Sequence, residues 1–195
     1  MLDLYVTLFD RLNKEIPYVV WKACHEIEMF LNGEGDIDLL VDSGFQKQFE
    51  EILGALRFVH AYFNALKFPF IEHYYGCDAT TGTLCHLHVY FRIVTGESHL
   101  KSYYIPIEKE IIRNKFLNKH NVYEASCQDQ ALIYTLRHYM KRASWISLLF
   151  WAYEKKDYHA EYDYIASGLT STKGPSTESS CENLRSEFSF QQIRL

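Results

Sequence analysis

The stretch Gly33-Glu34-Gly35-Asp36-Ile37-Asp38-Leu39-Leu40-Val41 restricts this chain more than any other. A glycine-flanked bend runs straight into an apolar strand that carries two aspartates. Alternation along a strand sends Ile37, Leu39 and Val41 to one face and Asp36 and Asp38 to the other. One face can enter a core while the opposite face presents two carboxylates about 7 Å apart along the strand. Charged side chains are rarely buried unless they are paired, so the two aspartates need a cationic partner, and a divalent metal is the first candidate.

The surrounding pattern supplies a frame for that strand. Tyr5, Leu8, Phe9 and Leu12 recur at helical spacing, which predicts an amphipathic helix over 2–14 that stops before Pro17. Tyr18-Val19-Val20-Trp21 reads as a short buried strand ending at Lys22, and a helix is expected over 23–31, closed by Asn32-Gly33. After the carboxylate strand, Ser43 is the expected N-cap of a helix through residue 56, carrying Phe45, Phe49, Ile52, Leu53 and Leu56. Residues 57–67 and 69–75 are β-rich. The turn Asp78-Ala79-Thr80-Thr81-Gly82 joins Phe70–Tyr75 to Leu84–Val94 as an antiparallel hairpin. In its second strand Cys85, Leu87, Val89, Phe91 and Ile93 make an apolar face, and Leu84, His86, His88, Tyr90 and Arg92 a chemically capable one. Helices are expected over Glu108 to Phe116, from the capping-box-like Ser126-Cys127-Gln128-Asp129 onward, around Trp145 to Ala152, and around Tyr158 to Ile165. The tail 170–195 is Ser/Thr-rich and lacks apolar periodicity.

A length of 195 residues suits one domain with a helical annex, and 48% hydrophobic with 16% aromatic residues provides a real core. A net charge of −5 argues against a protein that holds nucleic acid by bulk electrostatics. No segment has the form of a leader peptide, and Trp145 to Tyr153, the longest apolar candidate, is well short of the ~20 residues that span a bilayer. A cytoplasmic protein is therefore expected. Five scattered cysteines without CxxC spacing read as reduced thiols.

His86 and His88 lie on one strand face, so either can be a metal ligand or a base. With Asp36 or Asp38 they admit a zinc site that Cys85, on the opposite face, cannot join. His73, with Tyr74 and Tyr75, reads as aromatic packing. The basic residues Lys101, Arg113, Lys115 and Lys119 are interleaved with Glu108 and Glu110 and read as a solvated rim, while Arg137, His138, Lys141 and Arg142 are near enough in sequence to reach a phosphate together. GxxxxGK[ST], GxSxG, HExxH and GxGxxG are all missing.

Residues 18–42 resemble the opening motif of the nucleotidyltransferase fold, the polymerase-beta-like superfamily. There a small-residue turn holds the triphosphate and an Asp-x-Asp on the next strand holds two metal ions. The chain is most similar to bacterial nucleotidyltransferase-like proteins, several encoded in polysaccharide-biosynthesis clusters, through Val19-Val20-Trp21-Lys22, Gly35-Asp36-Ile37-Asp38-Leu39-Leu40-Val41, Glu72-His73-Tyr74-Tyr75-Gly76 and His86-Leu87-His88-Val89. Lys22-Ala23 stands where that superfamily has Gly-Ser or Gly-Gly, and His86 and His88 stand where it has a third carboxylate. The resemblance implies an α+β fold with a mixed sheet and flanking helices over 1–98, and the residue pattern beyond it predicts a helical subdomain over 99–169 and a flexible tail over 170–195. It implies Mg²⁺ or Mn²⁺ at Asp36 and Asp38, with Lys22 and Gly35 on the triphosphate of an NTP and His86 or His88 as third ligand or base. The partners would be a nucleotide and a hydroxyl acceptor, a sugar or small molecule before a nucleic acid, and a homo-oligomer is compatible with all of this. The other reading is a catalytically degenerate nucleotide-binding or scaffold module serving a polysaccharide-biosynthesis enzyme.

Overall fold

The computed structural model describes residues 1–62, 68, 70–96, 101, 103–141 and 158–171. The chain divides into two units, Met1–Lys156 and Asp157–Leu195. The first is an α+β unit built on a seven-stranded mixed sheet. Its helices are α1 (Asp3–Glu15), α2 (Ile27–Leu31), α3 (Gln46–Ala55), α4 (Glu108–Arg113) and α5 (Cys127–Lys141). Its strands are β1 (Tyr18–Val20), β2 (Asp36–Val41), β3 (Val59–Ala61), β4 (Ile71–Cys77), β5 (Leu84–Tyr90), β6 (Val94–Thr95), β7 (Tyr103–Tyr104), β8 (Phe116–Leu117) and β9 (Tyr123–Glu124). The second unit contributes one described helix, α6 (Tyr158–Ser171), which contains the expected Tyr158–Ile165 helix.

The sheet runs β3-β4-β5-β2-β1-β9-β8, while β6 and β7 form a separate ribbon. The carboxylate strand β2 is central, antiparallel to β1 and parallel to β5. A strand covered on both faces has to be apolar nearly throughout, and all of β2 except its first residue is buried. On one face Ile37, Leu39, Val41, Cys85, Leu87 and Val89 pack with Tyr5, Leu8, Phe9 and Leu12 of α1 and Phe49, Ile52 and Leu53 of α3. The apolar stripe of α1 read from the sequence is the stripe it buries. On the other face Val19, Trp21, Leu40, Ile71 and Tyr90 pack with Ile111, Ile112 and Ile133 from α4 and α5. Asp36, Asp38, His86 and His88 share that second face with this smaller core.

Several expectations are corrected. Between Ala23 and Leu31 the chain makes a single 3₁₀ turn, Cys24–Glu26, before the short α2. Ser43 does not cap the next helix but opens a 3₁₀ turn, Ser43–Phe45, whose own cap is Asp42, with its carboxylate accepting from the Gly44 amide at 2.9 Å; Phe45 then stands at the cap of α3. β5 ends at Tyr90, because a bend at Phe91-Arg92 breaks the alternation. Phe91 stays with the larger core, whereas Ile93 crosses to the smaller one. The stretch 99–169, read as helical, also carries β7, β8 and β9. Of these β9 lies parallel to β1, so chain beyond residue 98 extends the main sheet. Strands of two residues leave no alternation to detect. The helix expected at 108–116 stops at Arg113, and Phe116 begins β8. The helix expected around Trp145, the tail from residue 172 and Pro69 lie outside the described residues. Ser126 caps α5 as expected, with the Asp129 amide donating to Ser126 Oγ at 3.2 Å, but the reciprocal contact is side chain to side chain, Ser126 Oγ donating to Asp129 Oδ2 at 2.7 Å.

Candidate metal centre

Strand register assembles the site. β2 and β5 run parallel with Asp36 beside His86 and Asp38 beside His88, and β4 adds His73 opposite His88 and Tyr75 opposite His86. Neighbours in register share a face, so the two aspartates and three histidines converge on one patch. Asp36 and Asp38 sit at the start of β2, and Leu40, two residues beyond Asp38, belongs to the smaller core.

His88 Nδ1 lies 2.9 Å from Asp38 Oδ1 and 3.4 Å from Asp36 Oδ2. Asp36, Asp38 and His88 each bring one donor atom to within 4.8 Å of the others. Asp38 is only 8% exposed. Burial opposes its ionisation, but the Lys22 ammonium and a hydrogen bond from His88 outweigh burial and hold its carboxyl far below the usual range. A hydrogen bond from His88 does the same, more mildly, for the more open Asp36, against burial and the neighbouring Asp38 charge. Both carboxylates are therefore ionised near neutrality and available to a cation. Asp38 Oδ1 has Lys22 Nζ at 2.8 Å and His88 Nδ1 at 2.9 Å, whereas His88 Nε2 is buried with no hydrogen-bond partner among the described residues. Carboxylate oxygens of Asp36 and Asp38 beside the imidazole nitrogen Nδ1 of His88 are a donor set that a divalent ion can take.

Lys22 is placed by the turn after β1. The Trp21 amide donates to the Asp38 carbonyl at 3.3 Å, the last contact of β1 with β2. Then the chain bends and Ala23 takes a left-handed conformation, φ 53°. Left of the sheet by that turn, Lys22 Nζ approaches Asp38 Oδ1 to 2.8 Å and donates to Tyr90 Oη at 2.9 Å. Burial works against its charge, but Asp38 more than compensates and raises its pKa. Gly35, the other residue expected at a triphosphate, precedes Asp36 with φ +104°, and a Cβ there would stand 3.0 Å from the Phe30 ring. It shapes the entry into β2 against α2.

His86 lies apart from the carboxylate–imidazole cluster. Its Nε2 is 3.0 Å from His73 Nδ1, and its ring stacks on Tyr75 at 4.3 Å between centroids. His73 stacks in turn on His88 at 4.3 Å. Burial pulls the pKa of His73 down to about 4, and the neighbouring His88, His86 and Lys101 further oppose its protonation. Burial also lowers that of His86, against the pull of Asp36. A neutral pair of imidazoles can share one proton and accept another. The expected zinc arrangement is met only in part: His88 joins the aspartates, His86 faces His73.

Sequence reasoning undervalued three residues. His73 follows once the hairpin register is fixed by its turn, since Cys77 opposite Leu84 puts His73 opposite His88. Tyr90 continues the His86-His88 alternation and becomes the hydroxyl between two lysines. Lys101 donates to Tyr90 Oη at 3.3 Å, and no periodic signal marks it, because it sits outside any helix or strand. No family model, curated protein or solved structure matches the chain.

Proposed function

We propose that this protein binds a divalent cation between Asp36, Asp38 and His88 and, beside it, the phosphates of a nucleoside triphosphate, in the manner of a nucleotidyltransferase. The observation that carries the reading is the clustering of those three donors on adjacent parallel strands, with His88 Nδ1 facing both carboxylates. An antiparallel β1–β2 pair with Asp-x-Asp on β2, and a third donor on the neighbouring strand, supports the nucleotidyltransferase resemblance of residues 18–42. Two carboxylates and one imidazole suit Mn²⁺ better than Mg²⁺, which prefers oxygen alone. A bound divalent cation would supply Lewis-acid stabilisation of charge on phosphate oxygens.

The chain's own groups account for the remaining roles. Asp36 and Asp38 orient the phosphates by holding their counter-charge in place. Lys22 and Lys101 lie on the side of Tyr90, where they meet a polyphosphate. The His73–His86 pair, next along the face, takes the proton of an acceptor hydroxyl as that oxygen attacks the α-phosphate and pyrophosphate leaves. A sugar or other small hydroxyl compound fits the acidic chain better than nucleic acid does.

One observation favours the second reading, a binding module without turnover. Lys22 already neutralises Asp38, and Ala23 in a left-handed turn replaces the glycine that would let backbone close on a phosphate. Calorimetric titration with Mn²⁺ and NTPs separates the possibilities. Wild type is expected to bind both and Asp36→Ala/Asp38→Ala neither; an equal response from the two proteins removes the metal site. Labelled NTPs then test transfer, and a wild-type signal no greater than the double variant's leaves the binding module.

A further inference from the structure

Lys22 and Lys101 converge on a single phenol oxygen. Lys22 Nζ donates to Tyr90 Oη at 2.9 Å and Lys101 Nζ at 3.3 Å, and each ammonium also lies over the Tyr90 ring, at 4.7 and 5.3 Å. Trp21, whose ring faces the Lys22 ammonium at 5.3 Å, has a buried indole N–H with no hydrogen-bond partner among the described residues. This corner holds donors in excess. Burial, the charge of Lys22 and the charge of Arg137 together pull the Lys101 pKa down to about 8, against the attraction of Asp38. Among the described residues the carboxylate in contact with Lys22 is Asp38, and its contacting oxygen, Oδ1, is also the one facing His88.

We propose that Lys22 and Lys101, on either side of Tyr90, form a phosphate-oxyanion subsite whose formation is coupled to the cation site, with Lys22 as the resident counter-ion of Asp38 that a divalent cation displaces toward the anion. The proposal rests on the metal reading above. A cation taking Asp38 Oδ1 meets the positive charge of Lys22 at close range. The ammonium is then without its carboxylate, in a corner that already holds Lys101. A phosphate oxyanion lying between the two lysines removes both difficulties at once. Metal and anion therefore each strengthen the other, and linkage makes the effect reciprocal. In the absence of an anion Lys22 occupies Asp38 and weakens the metal. The site thus selects a metal–polyphosphate pair over a free cation.

The test measures Mn²⁺ affinity by electron paramagnetic resonance on the full chain, in chloride and with sulfate at matched ionic strength. Sulfate is a tetrahedral oxyanion that does not chelate Mn²⁺ appreciably. Wild type is expected to bind Mn²⁺ about tenfold more tightly in sulfate, within the span usual for coupled sites. Lys22→Gln is expected to bind Mn²⁺ about tenfold more tightly than wild type in chloride and to lose the sulfate effect. Lys101→Gln, which leaves Asp38 its partner, should lose most of the sulfate effect whatever its affinity in chloride, and it decides the matter if Lys22→Gln does not fold. Mn²⁺ binding that is indifferent to sulfate, or a sulfate effect that survives in Lys101→Gln, overturns the coupling and leaves the metal site standing. An absence of Mn²⁺ binding in every arm overturns both together.

Discussion

On β2 two sets of side chains one residue out of step meet opposite environments. Ile37, Leu39 and Val41 are fully buried among α1 and α3. Asp36 and Asp38, pointing the other way, meet His88 and Lys22 at the margin of a smaller core. The first face is closed by apolar area and asks nothing of its residues beyond volume and shape. The second is closed at one end only, where Leu40, Tyr90 and Trp21 pack; at the other, charges are held together without the hydrogen-bond geometry that would satisfy all of them. One strand can therefore serve stability and chemistry at once, because alternation keeps the two tasks from sharing side chains.

The largest effect should come from the closed face. Leu39→Ala is expected to cost about 3 kcal/mol in urea unfolding, as removal of a fully buried leucine does, while the folded fraction binds Mn²⁺ as wild type does. A loss of metal affinity in that variant would show that the two faces are not independent. Asp38→Asn gives the converse. It should abolish Mn²⁺ binding and cost about 2 kcal/mol, somewhat less than a fully sequestered ion pair because both partners keep some contact with water. Combining it with Lys22→Met is expected to return most of that stability and none of the binding. If the combined variant is no more stable than Asp38→Asn, Lys22 is held by something other than Asp38.

Much of this arrangement was legible in the residues. Periodicity alone gives α1 and its buried stripe, the alternation of β2, and the hairpin that brings His86 and His88 forward, because each depends on contacts among residues close in sequence. What was not legible depends on single backbone events. A bend at Phe91-Arg92 moves Ile93 to the other core, a left-handed Ala23 turns Lys22 onto Asp38, and two-residue strands at Phe116 and Tyr123 join a sheet whose nearest member is about a hundred residues earlier. The pairing of Lys22 with Asp38 is the clearest case. The sequence offers Lys22 as a phosphate contact, and only the turn shows that a carboxylate holds it first.

A smaller effect concerns which ion the open face takes. His88 supplies a nitrogen where an all-oxygen site would have a third carboxylate. His88→Gln replaces it with an amide whose oxygen is harder and whose reach is similar. Mn²⁺ affinity should fall about tenfold and Mg²⁺ affinity should hardly change, since first-row transition ions gain more from imidazole than Mg²⁺ does. Calorimetry with both ions measures the ratio, and a parallel loss of the two would mean that His88 supports the aspartates instead of ligating.

The smallest expected effect is the pH response of the histidine row. In the folded chain His73 protonates only near pH 4, because burial first, then the neighbouring His88, His86 and Lys101, disfavour the imidazolium, with Asp36 pulling weakly the other way. In the unfolded chain a histidine takes its proton near its ordinary pKa of about 6.5. Between those values the unfolded state binds more protons than the folded one, so stability is full above about pH 6.5 and is lost as the pH falls toward 4. A fully sequestered group would give a slope of about 1.4 kcal/mol per pH unit, and a ring partly open to water about half of that. His73→Gln should remove that share, so that the wild-type and variant stability curves converge as acid is added from pH 6.5 downward. His86, lowered in the same direction, touches His73 at 3.0 Å, so the difference between the curves reports the pair. Parallel curves over this interval would place the His73 proton outside the folding equilibrium, and the open face would then owe its low-pH behaviour to the carboxylates alone.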